Sequence, residues 1–259
     1  MDATKRGETF YQDLLDTCLT AGELMIEGGS EMYRVEDTMM RIAKSAGEPD
    51  PRVFVVPTGV FMSLDHGNYC QTLLVHERNI NLELVDRINS LSRAFAEQKI
   101  TLQEVKREVN NIASGDFPTF PVWLQTIGAA ILSATLMVMF MNNYDWIDFP
   151  AAAIVGATGF ISFYYFKRFT NVKFLSELVA AVIMTVLAAG LVHIFPQMII
   201  DHILTGALMP LVPGLALTNA LRDLFKGDIL SGMVKICEAL LTAFALGGGV
   251  GIVLKFLGA

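Results

Sequence analysis

The sequence predicts an α+β cytoplasmic domain, residues 1–116, followed by an all-α membrane domain of five transmembrane helices, the fourth discontinuous, over residues 117–259. Three observations lead there. Most of the charge lies before residue 117, and most of the uninterrupted apolar sequence lies after it. Within the first part a helical period gives way to alternation and then returns. Within the second part apolar runs recur that can cross a hydrocarbon core of about 30 Å.

The 259 residues suit one large domain or two ordinary ones, and the compositional step favours two. A net charge of −7, a pI near 5.1 and the lack of a basic patch exclude a nucleic-acid surface. The opening MDATKRGETFYQDLLD has no apolar core, so no signal peptide is expected and the first domain should stay in the cytoplasm. Cys18, Cys70 and Cys237 suggest neither a disulfide framework nor a metal site by their spacing, so reduced, buried thiols are expected.

In order, Glu8 to Glu27 reads as an amphipathic helix with Phe10, Leu14, Cys18, Ala21 and Met25 on one stripe. Gly28-Gly29 ends it, and Ser30 is the expected N-cap of the next helix. That helix carries Met32, Val35, Met39, Ile42 and Ala46 three and four apart, flanked by Glu31, Arg34 and Thr38 on one side and Glu36 on the other. Alternation then marks three strands, Val53 to Val56, Gly59 to Leu64 and Tyr69 to His76, with Asp65-His66-Gly67-Asn68 as the turn between the last two. Helices follow over about Leu82 to Gln98 and Leu102 to Ala113, the second opened by the capping box Thr101-x-x-Glu104.

Glu31, Arg34, Glu36, Asp37, His66 and His76 could supply acid, base or ligand chemistry, but their spacing matches no catalytic motif. There is no Gly-Lys-Ser/Thr phosphate loop, no HExxH and no Gly-x-Ser-x-Gly. No catalytic residue, metal or cofactor is expected.

The apolar runs cover about Val122 to Met141, Phe149 to Phe166 (marginal in length), Leu175 to Phe195, Met198 to Leu221 and Ile229 to Leu257. Lys167, Arg168 and Lys173 follow the second run, and Arg222 and Lys226 follow the fourth. NNYDWID and the turn before Met198 have no Lys or Arg. The positive-inside rule then sets the amino terminus inside and the carboxy terminus outside, with Lys255 the one dissenting charge. Trp123 and Trp146 suit interfacial anchors. In the fifth run Ala239, Ala243, Gly247 and Gly251 make a small-residue stripe that another helix can approach closely. Lys235 and Glu238 share a face of that run, either as a self-neutralising pair or as a functional ionisable site.

The stretch from Leu204 to Gly232, LTGALMPLVPGLALTNALRDLFKGDILSG, organises the rest. Its helix breaks at Pro210, Pro213 and Gly214, because proline removes a backbone hydrogen bond and clashes with the turn before it. Freed backbone groups at membrane depth need cover from protein or a water-filled cavity, as in the broken helices of transporters. A kinked packing helix is the alternative. PLVPG with NALRDLFKGDILSG, together with GGSEMYRVEDTMMRIAKSAG (Gly28 to Gly47) and VFVVPTGVFMSL (Val53 to Leu64), resembles the threonine/serine exporter (ThrE-like) family over nearly the whole chain. The size resembles the larger subunit of the split exporters. That resemblance implies a small, all-membrane partner subunit of the same family, higher oligomers, and export of dicarboxylates such as succinate, or of threonine and serine as in fused members. It also implies a structural or gating role for Gly28, Gly29, Glu31, Tyr33, Arg34 and Glu36.

On this reading the helix end at Gly214 and Leu215 offers amides to a substrate carboxylate, and Asn219 orients it. Arg222 pairs a second carboxylate, or holds Asp223 and Asp228 in a cytoplasmic gate. Glu238 is the candidate carrier of a coupling proton, with Lys235 beside it. A membrane-anchored enzyme, or a channel or scaffold whose cytoplasmic domain senses a ligand, are the competing readings.

Overall fold

Helices dominate the computed structural model, which describes residues 7–76, 80–115, 120–141, 146–170 and 173–258. Contacts divide the chain into two units, Met1–Pro118 with Leu215–Ile236, and Thr119–Gly214 with Cys237–Ala259. The domain junction expected at residues 116 and 117 lies outside the described residues.

The first unit is built around α1 (Glu8–Glu27), which touches α2 (Met32–Ser45), α3 (Leu82–Ala96), α4 (Leu102–Ala113) and strands of the sheet. Enclosure on several sides explains why burial spreads beyond the expected stripe to Leu15, Leu19, Leu24 and Ile26. Fully buried leucines such as Leu14 and Leu19 each stabilise the unit by roughly 1.5–3 kcal/mol relative to exposure. At Gly22 a β-carbon would lie 2.6 Å from Met39 Sδ, so glycine there sets how closely α1 and α2 approach. The α2 stripe is buried as its spacing predicts, at Met32, Val35, Met39 and Ile42. Thr38, read as a flank, is fully buried, and its hydroxyl donates to Asn89 Oδ1 of α3 at 3.0 Å.

Strands β1 (Arg52–Val56), β2 (Gly59–Leu64) and β3 (Tyr69–Leu74) form an antiparallel sheet in that order, with Val53 opposite Met62 and Val60 opposite Leu73. Val60, Met62 and Leu64 alternate into the core with α1. β3 ends short of His76, although Val75 still donates to Thr58 O at 3.0 Å. The α4 capping box closes in both directions between Thr101 and Glu104, satisfying two orphan amides at once. Asn81 caps α3 through Leu84 N.

The same unit contains α9 (Gly214–Lys226) from Leu215 onward and the first turns of α10 (Ile229–Leu257), to Ile236. The two helices meet in a tight elbow. Gly227 takes φ 95°, a backbone conformation that side-chain-bearing residues rarely adopt, and Asp228 N donates back to Asp223 O at 2.9 Å. Gly232 of α10 lies against α9, where a β-carbon would sit 2.6 Å from Leu224 Cδ2 and 2.9 Å from Ala220 O.

The second unit packs α5 (Val122–Met141), α6 (Asp148–Thr170), α7 (Lys173–Ile194) and α8 (Ile200–Leu208), with α10 from Cys237. A core of Ala151, Val155, Ala180, Met184, Ala188, Ile203, Leu204 and Ala207 joins α6, α7 and α8. Small residues allow close approach, as membrane packing requires where burial from water supplies no drive. A β-carbon at Gly206 would lie 2.6 Å from Met137 Cβ, and one at Gly156 would strike the Ser133 side chain. Large apolar side chains such as Ile131, Ile154 and Phe244 are exposed, the pattern of lipid-facing helices. Among the described residues, four helices are long and apolar enough to cross a membrane, or five if the interrupted pair of α8 and α9 counts as one. The interruption runs through a 3-10 turn, Met209–Leu211, and the extended Val212 before Pro213. The helix resumes at Gly214.

Along α10, Gly249 packs on α7, where a β-carbon would lie 2.7 Å from Ala181 Cβ and from Leu178 O. Gly247 and Gly251 face open space, and Ala243 is exposed beside them, whereas Ala239 is buried.

Candidate functional site

The helical spacing of Asn219, Arg222, Asp223 and Lys226 puts all of them on one face of α9. That face is addressed, almost atom by atom, to the turn between α1 and α2. Asn219 Nδ2 donates to Gly29 O at 2.9 Å. Arg222 Nη1 donates to Glu31 Oε1 at 2.5 Å, and Lys226 sits 5.2 Å from the centre of the Tyr33 ring. Asp223, fully buried, accepts from Met32 N at 3.0 Å through Oδ1 and from Lys235 Nζ at 2.7 Å through Oδ2. Lys235 Nζ donates also to Ser30 O at 3.1 Å.

The turn has the shape to receive these groups. Gly29 takes φ 82°, which aims successive backbone groups outward and suits glycine. Its other side is held by α3, where Asn81 N donates to Gly28 O at 3.0 Å and Val85 leaves no room for a side chain at Gly28. Ser30 does not cap α2 as the sequence suggests. Glu31 occupies the N-cap position without a side-chain cap bond, and the first helical amide, at Met32, is satisfied by the distant Asp223. A carboxylate at that helix end also meets the positive end of the backbone dipoles. Ser30 Oγ is buried with no hydrogen-bond partner among the described residues.

Charge in the site is divided between a sealed pair and an open one. The Asp223 and Lys235 side chains are 0% and 13% exposed, so neither can be left without the other. The Arg222 side chain is 60% exposed although its partner Glu31 is 7% exposed, so its remaining donors are free to meet a second carboxylate. Burial pushes the Glu31 carboxyl upward, but its own backbone amide and the Arg222 and Arg34 guanidiniums outweigh that and hold it below the usual carboxylate range. Glu36 is pushed up by burial and then by Asp228. Asp228 is pushed up by burial and by Asp223, with Lys235 acting the other way.

The structure thus joins Asn219, Arg222, Asp223, Asp228, Lys235, Glu31, Arg34 and Glu36 in one unit. Pro210, Pro213, Gly214 and Glu238 belong to the other. Lys235 pairs with Asp223. The backbone groups of Gly29, Ser30 and Met32 take part in the site without any side-chain signal that could have announced them. Among the described residues, no three His, Cys, Asp or Glu side chains are grouped to hold a metal ion.

A family model described as "Putative threonine/serine exporter" matches residues 16–257. The chain belongs to the threonine/serine exporter family. Two of the blocks that carry the likeness, Gly28 to Gly47 and Asn219 to Gly232, are the two that meet in the Asp223 cluster. This exporter-family chain is 22% identical over 246 residues to the "Probable succinate transporter subunit YjjP" of Escherichia coli, covering 93% of each chain. It is 23% identical over 233 residues to an uncharacterized protein of Schizosaccharomyces pombe, covering 86% of this chain but 30% of that protein. No solved structure matches it. Family membership, several apolar helices and likeness to a transporter subunit together make this a membrane protein of an exporter system.

Proposed function

We propose that the chain is the larger subunit of a secondary exporter in the plasma (inner) membrane, moving a small carboxylate metabolite out of the cytoplasm with a small, all-membrane partner. The amino-terminal α+β domain, residues 1–116, lies in the cytoplasm, and five crossings within residues 117–259 carry the carboxy terminus outside. A dicarboxylate such as succinate is favoured over threonine or serine, by likeness to the bacterial subunit across nearly its full length.

The observation that carries this reading is the interrupted helix with a charged latch just beyond it. Val212 and Pro213 end α8's continuation, α9 restarts at Gly214, whose amide donates to Val212 O at 2.8 Å, and its last turns bear Arg222. The restarted helix end suits one carboxylate of the substrate. Arg222 suits a second, in competition with Glu31, while Asn219 holds α9 in place through Gly29. The sealed Asp223–Lys235 pair, with Glu31, Arg34, Glu36 and Asp228 around it, serves as the cytoplasmic gate. Glu238, on the third turn of α10, carries the coupling proton.

The test is efflux of labelled succinate and labelled threonine from loaded cells containing the partner. Pro210→Ala with Pro213→Ala should let the helix run on and abolish export while the protein still accumulates. Arg222→Lys keeps the charge, loses the planar fork and should lower export. Wild-type efflux in the double-proline variant would make the interruption a packing kink and move the site elsewhere.

A further inference from the structure

The second unit holds another buried carboxylate with different company. Asp148, the first residue of α6, is 0% exposed. Its Oδ1 accepts from Ile199 N at 3.1 Å, at the start of α8, and its Oδ2 lies 3.1 Å from His202 Nδ1. Asp223 is paired with the ammonium of Lys235. Asp148 is paired with an imidazole, a side chain that can carry a proton or give it up.

We propose that Asp148 and His202 form a proton-binding pair, open to the outside, that sets how firmly α8 is held. The proposal rests on the exporter reading for its orientation, in which α5 and α7 end, and α6 and α8 begin, on the external side. With Nδ1 turned to the carboxylate, the incoming proton binds at Nε2. The His202 side chain is 17% exposed, so the ring is within reach of water while Asp148 is not. The resulting imidazolium and carboxylate tighten the tie at the start of α8. Loss of the proton leaves Asp148 with neutral donors only, and the tie slackens. Helix α8 runs without interruption from this tie to the 3-10 turn and Pro213. Proton binding at one end of α8 therefore acts on the break at its other end. An exporter that exchanges substrate for a proton needs such a group facing outward.

Few other charges face the pair. Helix α5 has no titratable residue, and neither does the turn Met209–Leu211. On α6 the others are Tyr164, Tyr165, Lys167 and Arg168, at the opposite end. On α7, Lys173 and Glu177 are at the opposite end, and His193, in the last turn, is exposed. Asp201 on α8 and Lys255 on α10 are exposed, and Asp145 lies outside the described residues.

The test has two readouts on the full chain. Efflux of labelled succinate and threonine is followed from cells with the partner as external pH is varied, in wild type and in His202→Asn. Asparagine keeps an N–H donor near the place of Nδ1 but cannot change charge. Wild-type efflux should change several-fold between about pH 5 and about pH 8, and the variant's by less than about twofold, at an undiminished melting temperature. Ring nitrogen NMR of the chain in lipid nanodiscs, assigned by loss of the signal in His202→Asn, should show a proton arriving at Nε2 and the Ile199 amide moving with it. An unaltered pH profile in His202→Asn overturns the proposal. A ring of constant charge overturns it independently of transport. If neither substrate leaves wild-type cells, the exporter reading fails, and the ring titration then decides the pair alone.

Discussion

Asp223→Asn is the substitution that reports most directly on the latch. Asparagine keeps an oxygen to accept from Met32 N, so the cap of α2 survives and only the negative charge is lost. Lys235, with its side chain 13% exposed, then keeps Ser30 O as its hydrogen-bond acceptor and Asp228 as a neighbouring carboxylate, without the Asp223 charge in contact. Removing one partner of a buried pair costs about 3–5 kcal/mol, because the other charge stays desolvated. The exposed pair next to it sets the contrast. Arg222 is 60% exposed and Glu31 keeps Arg34 as a second partner, so Arg222→Ala should cost less than about 1 kcal/mol. Lys235→Met should resemble Asp223→Asn, and the double variant should be far less destabilised than the sum, with a coupling of about 2–3 kcal/mol. The assay is calorimetric unfolding of the full chain in nanodiscs, with hydrogen exchange over residues 28–36 as the local reading. Additive single effects, or an Arg222→Ala loss exceeding that of Asp223→Asn, would refute the division into a sealed and an open pair.

Further outcomes follow from other parts of the chain. Gly247→Leu and Gly251→Leu project into open space, so each should weaken association with the partner subunit in co-purification while leaving the melting temperature unchanged. Gly249→Leu meets Ala181 and Leu178 and should instead destabilise the chain itself, by roughly 1–3 kcal/mol. Glu36 and Asp228 have folded pKa values raised above their unfolded ones. The stability they contribute is therefore fully present at low pH and lost as pH rises from about 4 through their folded values. Glu36→Gln should raise the melting temperature at neutral pH and flatten that fall. Glu31, held low, has the opposite sign, so Glu31→Gln should cost most above about pH 4. A reporter active only in the cytoplasm, fused after the last residue, should stay silent, and a strong signal would reverse the orientation or change the number of crossings.

Much of the fold was legible because the signals are local. The α2 stripe and the Thr101–Glu104 box are written in residues three or four apart, within reach of one helical turn. The proline pair marked the interruption for the same reason. The charged residues of α9 were legible as candidates, because helical spacing assigns a face, but spacing cannot say what the face meets. Met32 and Asp223 are 191 positions apart, and His202 and Asp148 are 54 apart, with no periodicity linking either pair. Ser30 suits a cap by its type and place, whereas the cap comes from Asp223, a group that only tertiary structure delivers. The spacing places Thr38 on a flank of the stripe and cannot show its partner, because Asn89 lies on another helix.

The cap on α2 has a consequence for the order of synthesis. The first unit is discontinuous in sequence, closed by residues Leu215–Ile236 that leave the ribosome only after α5, α6, α7 and α8. Until then the Met32 amide has no Asp223, and the turn at Gly29 and Ser30 has neither Asn219 nor Lys235. The amino-terminal helices and sheet can condense early, but the first turn of α2 waits for nearly the whole chain. A chain stalled before α9 thus lacks the carboxylate that caps α2 and the side chains that fill the glycine turn.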